Sequence, residues 1–238
     1  MIATIELGDL AVEVVKKDIK NIHLSVYPPA GRVRISAPLE MNLDTIRVFA
    51  ISKLSWIKRQ QTKLREQQRE TRREYLDRES HYVWGKRYLL EVIESDTAPT
   101  VELKHSKMLL KVRPGTGEDK RQAIVDEWYR AQLKEAVAPL IAKWELLMGV
   151  KVERLFVQKM KTKWGSCNAG ANSIRLNTEL AKKSPECLEY ILVHEMVHLL
   201  VRRHDDRFNG LMDRHMPNWK LVRQTLNAAP LAYANWSY

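Results

Sequence analysis

Cysteine is scarce in this chain: Cys167 and Cys187 are the only two among 238 residues. Two thiols are too few for the disulfide framework of a small secreted scaffold or for a cysteine-built structural zinc cluster. Long apolar runs are also missing. No segment reaches the ~18 to 20 uninterrupted apolar residues of a membrane span, and the opening MIATIELGDLAVEV has neither a basic start nor a long apolar stretch. No membrane association is expected, and two free thiols fit a reducing, cytoplasmic setting. Acidic residues are in deficit, 29 against 40 Lys and Arg, for a net charge of +11. Such a surface would suit a nucleic acid or nucleotide partner through long-range attraction, although no recognition motif for nucleic acid accompanies the charge. What remains, 45% apolar residues, can bury a normal core in one large domain or two small ones.

Alternation of apolar and polar residues predicts short strands from residue 11 to 36, with Ile22, Leu24 and Val26 on one side of a Pro28-Pro29-Ala30-Gly31 turn and Val33 and Ile35 on the other. A long basic helix is expected over about 42–78. It is amphipathic early, at Ile46, Phe49, Ala50, Leu54 and Ile57, and then almost wholly charged. Further strands follow in HYVWGKRYLLEVIE, TVELKH and KMLLKV. Pro114-Gly115-Thr116-Gly117 reads as the boundary between a β-rich N-terminal region, 1–113, and a second domain, 114–238. The second domain begins with a helical pattern from about Glu118 to Met148, ended by Gly149 and interrupted by Pro139, which is expected to kink or split it. Strands are expected in ERLFVQKM, KTKWGSC and SIRLN. No internal repeat is apparent.

Ser184-Pro185-Glu186 is a helix start, with a capping hydroxyl, a proline at the first position and a carboxylate at the positive end of the dipole. The helix that follows, CLEYILVHEMVHLLVRR, is apolar nearly all round, so it should be buried, and its polar residues need a reason. Those residues are His194, Glu195 and His198. Two imidazoles four residues apart share one helix face and can converge on one ion, while a glutamate one step round can act as general base without ligating it. A catalytic metal needs a third protein ligand. His204, six residues past His198 and beyond an Arg-Arg pair, is the first candidate. His215 is the second, and Glu186, Glu189, Asp205, Asp206 and Asp213 are carboxylate alternatives.

Three blocks together resemble the YgjP-like family of metal-dependent hydrolases, minimal zincins that are also similar to the SprT-like zinc metallopeptidases. The blocks are Lys161-Thr162-Lys163-Trp164-Gly165-Ser166-Cys167, Ile174-Arg175-Leu176-Asn177, and His194-Glu195-Met196-Val197-His198 with His204 and Phe208. The resemblance implies an α+β, zincin-like catalytic domain in which a small antiparallel sheet packs on the H-E-x-x-H helix. It also implies that the edge strand, here 161–167, borders the cleft and could pair with an extended peptide. Trp164, Gly165 and Ser166 are then candidate substrate-binding residues, although Trp164 also reads as core.

The expected function is therefore that of a zinc-dependent hydrolase with one Zn²⁺ per chain, a metallopeptidase acting on peptide or protein substrates, with Glu195 as base. Three rivals use the same residues or their neighbours. The same chemistry could act on phosphoanhydrides of nucleotides. The basic helix, through Lys58, Arg59, Arg65, Arg69, Arg72 and Arg73, could tether a protease to nucleic acid. Cys167 could serve as a nucleophile if it were exposed and activated, although a packed thiol is its ordinary reading. Tyr190 and His215 are candidates for stabilising an oxyanion, and Met216 before Pro217 for a methionine turn beneath a metal site. Oligomeric state is not legible.

Overall fold

Period-two burial builds the first sheet. In the computed structural model, which describes residues 2–27, 31–66, 73–160 and 163–228, β1 (Ile2–Leu7), β2 (Leu10–Lys17), β3 (His23–Tyr27) and β4 (Arg32–Pro38) form a sheet of order β1-β2-β4-β3. Along β4 every second side chain, Val33, Ile35 and Ala37, is fully buried. Helix α1 (Leu43–Ser52) starts where the Asn42 side chain accepts the Thr45 amide, and α2 (Leu54–Glu66) follows. Ile46, Ala50 and Ile57 of these helices share one core with Val12, Val14, Val33 and Ile35.

A second sheet opens the next unit: β5 (Ser80–Val83), β6 (Lys86–Glu94), β7 (Thr100–Lys104) and β8 (Lys107–Val112), in the order β5-β6-β8-β7. Helix α3 (Glu118–Met148) covers it through Val125, Tyr129, Leu133 and Val137. Pro139 lies on the solvent face of α3, as does Glu135, the residue whose carbonyl loses its helical partner. Water can satisfy that carbonyl, so α3 runs through the proline as one 31-residue helix rather than splitting. Gly149 ends it in the left-handed conformation, φ 66°.

A third sheet, β10-β11-β9, joins β9 (Arg154–Gln158), β10 (Gly165–Asn168) and β11 (Ser173–Asn177). It is mixed rather than purely antiparallel, because β11 pairs β9 in parallel and only β10 in the antiparallel sense. A 3-10 turn, Thr178–Lys182, leads to α4 (Pro185–Val197), which packs against α3, β10, α5 (Asp206–His215) and α6 (Trp219–Ala228). As its all-round hydrophobicity requires, α4 is the buried centre of this unit. Among the described residues no helix is long and apolar enough to cross a membrane.

Two expectations fail on the domain plan. The chain divides between Arg69 and Glu70, not at Pro114–Gly117. Met108, Leu110 and Val112 of β8 lie in the same core as Val125 and Leu133 of α3, so the Pro-Gly segment is a loop within one core. The basic helix also stops short of residue 78. It breaks at Lys53, and residues 73–78 are non-helical, with Tyr75 and Arg78 at positive φ, 54° and 64°. Residues 67–72, with Arg69 and Arg72, lie outside the described residues, as do Pro28, Pro29, Ala30, Lys161, Thr162 and the side chain of Arg65. Arg73 donates to the carbonyl of Ser80 and sits 3.5 Å from Glu79, a structural role rather than a free cation for nucleic acid.

A repeat is present after all. Both four-stranded sheets have antiparallel outer pairs and a parallel central pair, and a helical segment follows each. Val33 and Met108, Ile35 and Leu110, Ala37 and Val112, and Ala50 and Val125 are all fully buried, each pair 75 residues apart. The helix N-caps, Asn42 and Gly117, keep the same interval. The paired side chains differ while their burial agrees, so the repeat shows in topology and burial rather than in residue identity.

Candidate metal centre

Two of the three histidines stand at the end of α4. Proline at its first turn and Glu186 beside it favour the start, although the Ser184 side chain makes no capping bond to the backbone. The far end tightens: the amides of Leu199 and Leu200 bond to the carbonyls of Met196 and Val197, three residues back. His198 is the capping residue there, and its Nδ1–H donates to the carbonyl of Val201 at 3.0 Å. That bond leaves the lone pair of Nε2 pointing away from the helix. The chain then turns, and Asp205 caps α5 by accepting the Phe208 amide, which brings His204 back over α4.

The result is a triad. His204 Nε2 lies 3.1 Å from His194 Nε2 and 3.2 Å from His198 Nε2. Ligands at 2.0–2.1 Å around a tetrahedral ion are ~3.3 to 3.4 Å apart, so both spacings are close to an edge of such a tetrahedron. Pairwise hydrogen bonds would satisfy the three nitrogens less well, because each neutral ring carries a single N–H. His194 Nδ1 is also buried without a hydrogen-bond partner. Burial, then His198, His204 and Arg223, pulls His194 down to about 4, and burial with His198 and Arg223 lowers His204. Both rings are therefore neutral at pH 7, the form that ligates. His194, His198 and His204 are the group among the described residues that could hold a metal ion.

Phe208, 1% exposed, supports all three rings, with centroids 4.9, 4.8 and 4.7 Å from those of His194, His198 and His204. Tyr190 meets His194 edge-on and stacks on Trp219. It is buried, and packing accounts for it.

Three of the other candidate ligands have other partners. His215 lies edge-on to Trp144, Glu189 accepts from Lys143 and the Trp144 indole, and Asp213 accepts from the Trp219 indole. Met216 belongs to the hydrophobic core, and the ring that meets all three histidines is that of Phe208.

Strand β10 forms the opposite wall. It is an edge strand, and with the triad it bounds an open cleft of about 810 Å³. Lys163, Gly165, Ser166 and Cys167 face this cleft from one side, and His194, Glu195, His198, Arg202 and His204 from the other. Trp164 is not in the lining. It is half-buried against the core with the Lys183 ammonium 5.9 Å over its ring. Asn177 fixes the approach to β10, since its side-chain amide donates to the carbonyls of Met160 and Lys163.

The Glu195 carboxylate is buried beside the triad, 6% exposed, under β10. A Cβ on Gly165 would lie 2.7 Å from Glu195 Oε1 and 2.8 Å from its Cγ, so only glycine allows this approach. Burial raises the Glu195 carboxyl to about 7, against the pull of Lys163. A cation on the histidines would draw it back down by stabilising the carboxylate. Cys167 is raised to about 11 by burial and by Glu195 and is a thiol at neutral pH, which removes the basis for a nucleophilic role.

The sequence reading did not single out Lys163 and Arg202 as cleft residues. Lys163 sits in the strand block and Arg202 four residues after His198, but nothing local in the sequence tells a cleft cation from a solvated one.

No curated protein matches the chain. Among solved structures it is similar to the metallopeptidase zymogen jannalysin of Methanocaldococcus jannaschii, at 19% identity over 40% of this chain and 92% of that one, TM-score 0.33. It is also similar to the zymogen abylysin of Pyrococcus abyssi, at 18% identity over 41% of this chain and 99% of that one, TM-score 0.36. The model of the YgjP-like metallopeptidase domain matches residues 20–229, nearly the whole chain, and the protein belongs to that family.

Proposed function

We propose that this protein is a zinc metallopeptidase in which His194, His198 and His204 hold one Zn²⁺ per chain and Glu195 is the general base for peptide-bond hydrolysis. One observation carries the reading: the Nε2 atom of His204 lies 3.1 and 3.2 Å from those of His194 and His198, and the three rings share a cleft with a buried carboxylate. Three nitrogen donors without a thiolate suit catalytic rather than structural zinc, with a position left for water. When bound, zinc would supply Lewis acidity, polarising the scissile carbonyl and making a water easier to deprotonate.

The chain's own residues supply the proton handling. Glu195 accepts the proton of the attacking water and returns it to the leaving amine, a role typically contributing ~10² to 10⁴ in rate. Its burial beneath Gly165 keeps bulk water from competing for that proton. Phe208 and the His198–Val201 bond hold the imidazoles in register. The free edge of β10 presents Gly165 and Ser166 to an extended peptide that can add as a further strand. Peptide or protein substrates follow from this reading, and the free thiols Cys167 and Cys187 support a reducing, cytoplasmic setting.

Elemental analysis and activity of wild type, Glu195→Gln and His198→Ala, on unfolded protein and on nucleoside triphosphates, test the proposal. One zinc per chain is expected in wild type and Glu195→Gln and none in His198→Ala, with proteolysis by wild type alone. Cleavage of triphosphates only would replace the peptidase by a phosphohydrolase, and full activity in Glu195→Gln would remove Glu195 as base.

A further inference from the structure

The cleft carries unbalanced charge. Of its described lining residues Lys163 and Arg202 are cationic and Glu195 alone is acidic, and Glu195 is buried under β10. The two cations come from opposite walls, one from the approach to β10 and one from the turn that links His198 to His204. Both side chains are exposed, and neither makes an ion pair among the described residues.

Asp205 is committed to the cap of α5, and neither it nor Asp206 lines the cleft. From α6, Arg223 adds positive field at His194 and His204. A substrate threaded between the walls would pass two exposed cations that form no ion pair among the described residues.

We propose that the cleft selects peptides with acidic side chains close to the scissile bond, and that Lys163 and Arg202 are the residues that select them. This rests on the peptidase reading of the same cleft. The cations would act on the ground state and the transition state alike, because a carboxylate away from the reacting carbonyl keeps its charge throughout. The preference should therefore appear in KM and in binding more than in kcat. It should also weaken as salt screens exposed charges.

The test uses blocked peptides with Glu, Gln or Lys on both sides of one central Ala-Leu bond. Cleavage is measured with the zinc-loaded wild type, and binding by fluorescence anisotropy with zinc-loaded Glu195→Gln. Both are repeated with Lys163→Glu, Arg202→Glu and the pair, and with Lys163→Gln and Arg202→Gln in case charge reversal disturbs folding. The Glu peptide is expected to be favoured over the Lys peptide about tenfold at low salt, mostly in KM. Neutralisation should abolish that preference and double reversal should invert it. Equal handling of all three peptides, or a preference unchanged in the neutralised variants, would overturn the proposal while leaving the peptidase intact. Tight, charge-dependent binding without cleavage by wild type would refute the peptidase and retain the selective cleft.

Discussion

Replacing Gly165 by alanine adds one methyl group at the most crowded point of the site. The new Cβ would meet Glu195 Oε1 at 2.7 Å, Glu195 Cγ at 2.8 Å and Ile191 Cγ2 at 3.0 Å, where ordinary contacts begin at 3.4 Å. Ile191 and Glu195 both belong to α4, which is packed on several sides and cannot retreat. Either β10 lifts from β11, straining the Gly165–Leu176 pair, or the Glu195 side chain rotates away from the triad.

Overpacking of this kind costs about 1 to 3 kcal/mol, offset by up to ~1 kcal/mol from the lower entropy of the unfolded alanine chain. A net loss of about 1 to 2 kcal/mol should lower the melting temperature by a few degrees in a unit of this size. Displacing Glu195, the proposed base, by about 1 Å should cost more in rate, near 10²-fold. Calorimetry, zinc stoichiometry and kcat/KM on an unfolded protein substrate measure the three effects separately. A nearly stable, fully metallated and strongly impaired enzyme is expected. A Gly165→Ala variant with wild-type kcat/KM would refute the claim that the approach of β10 positions Glu195.

Two further outcomes follow from packing and burial. Phe208→Ala should lose about 3 to 5 kcal/mol of stability, and because the ring supports all three imidazoles, its zinc affinity in competition with a chromogenic chelator should fall as well. Unchanged affinity would make Phe208 a core residue and nothing more. His81, 1% exposed, is held down to about 3 by burial, then by Arg73 and Lys182, so its 3.5 Å approach to Glu79 is not an ion pair at neutral pH. The unfolded chain therefore binds a proton near pH 6.5 that the folded chain refuses. Stability contributed by this group is complete above pH 6.5 and is lost as pH falls from there toward 3. Between pH 6.5 and 5, wild type should lose about 1.5 kcal/mol more than His81→Phe in urea titrations, and parallel pH profiles would contradict this account.

The meeting of the three histidines was more legible than the architecture. Helix α4 could be read because its start signal, its all-round hydrophobicity and its three polar residues agree, and the six-residue step to His204 left room for one turn back. The helix over 42–78 was overextended because nothing in the sequence marks the breaks. Lys53, Tyr75 and Arg78 are neither glycine nor proline, yet the first leaves helical geometry and the others take positive φ. Tyr75 does so while burying its ring beside His81, a tertiary demand invisible to local pattern. Pro139 misled in the opposite direction, since its damage depends on which face meets water. The boundary at Pro114 failed because a loop within one core and a linker between two cores carry the same residues.

The repeated sheet lets the two halves of the chain serve as controls for each other. Where they agree, at positions such as Ile35 and Leu110, the shared requirement is a buried side chain. Where they differ, the difference shows what each sheet holds in place. Each copy joins its first two strands through a two-residue turn, Gly8–Asp9 in one and Trp84–Gly85 in the other. The amides of Trp84 and Gly85 donate to the carbonyls of Ala181 and Lys182, just before α4 begins. In the second sheet the hairpin thus also brackets the segment that leads into α4, so the two equivalent turns differ in what they hold in place as well as in sequence.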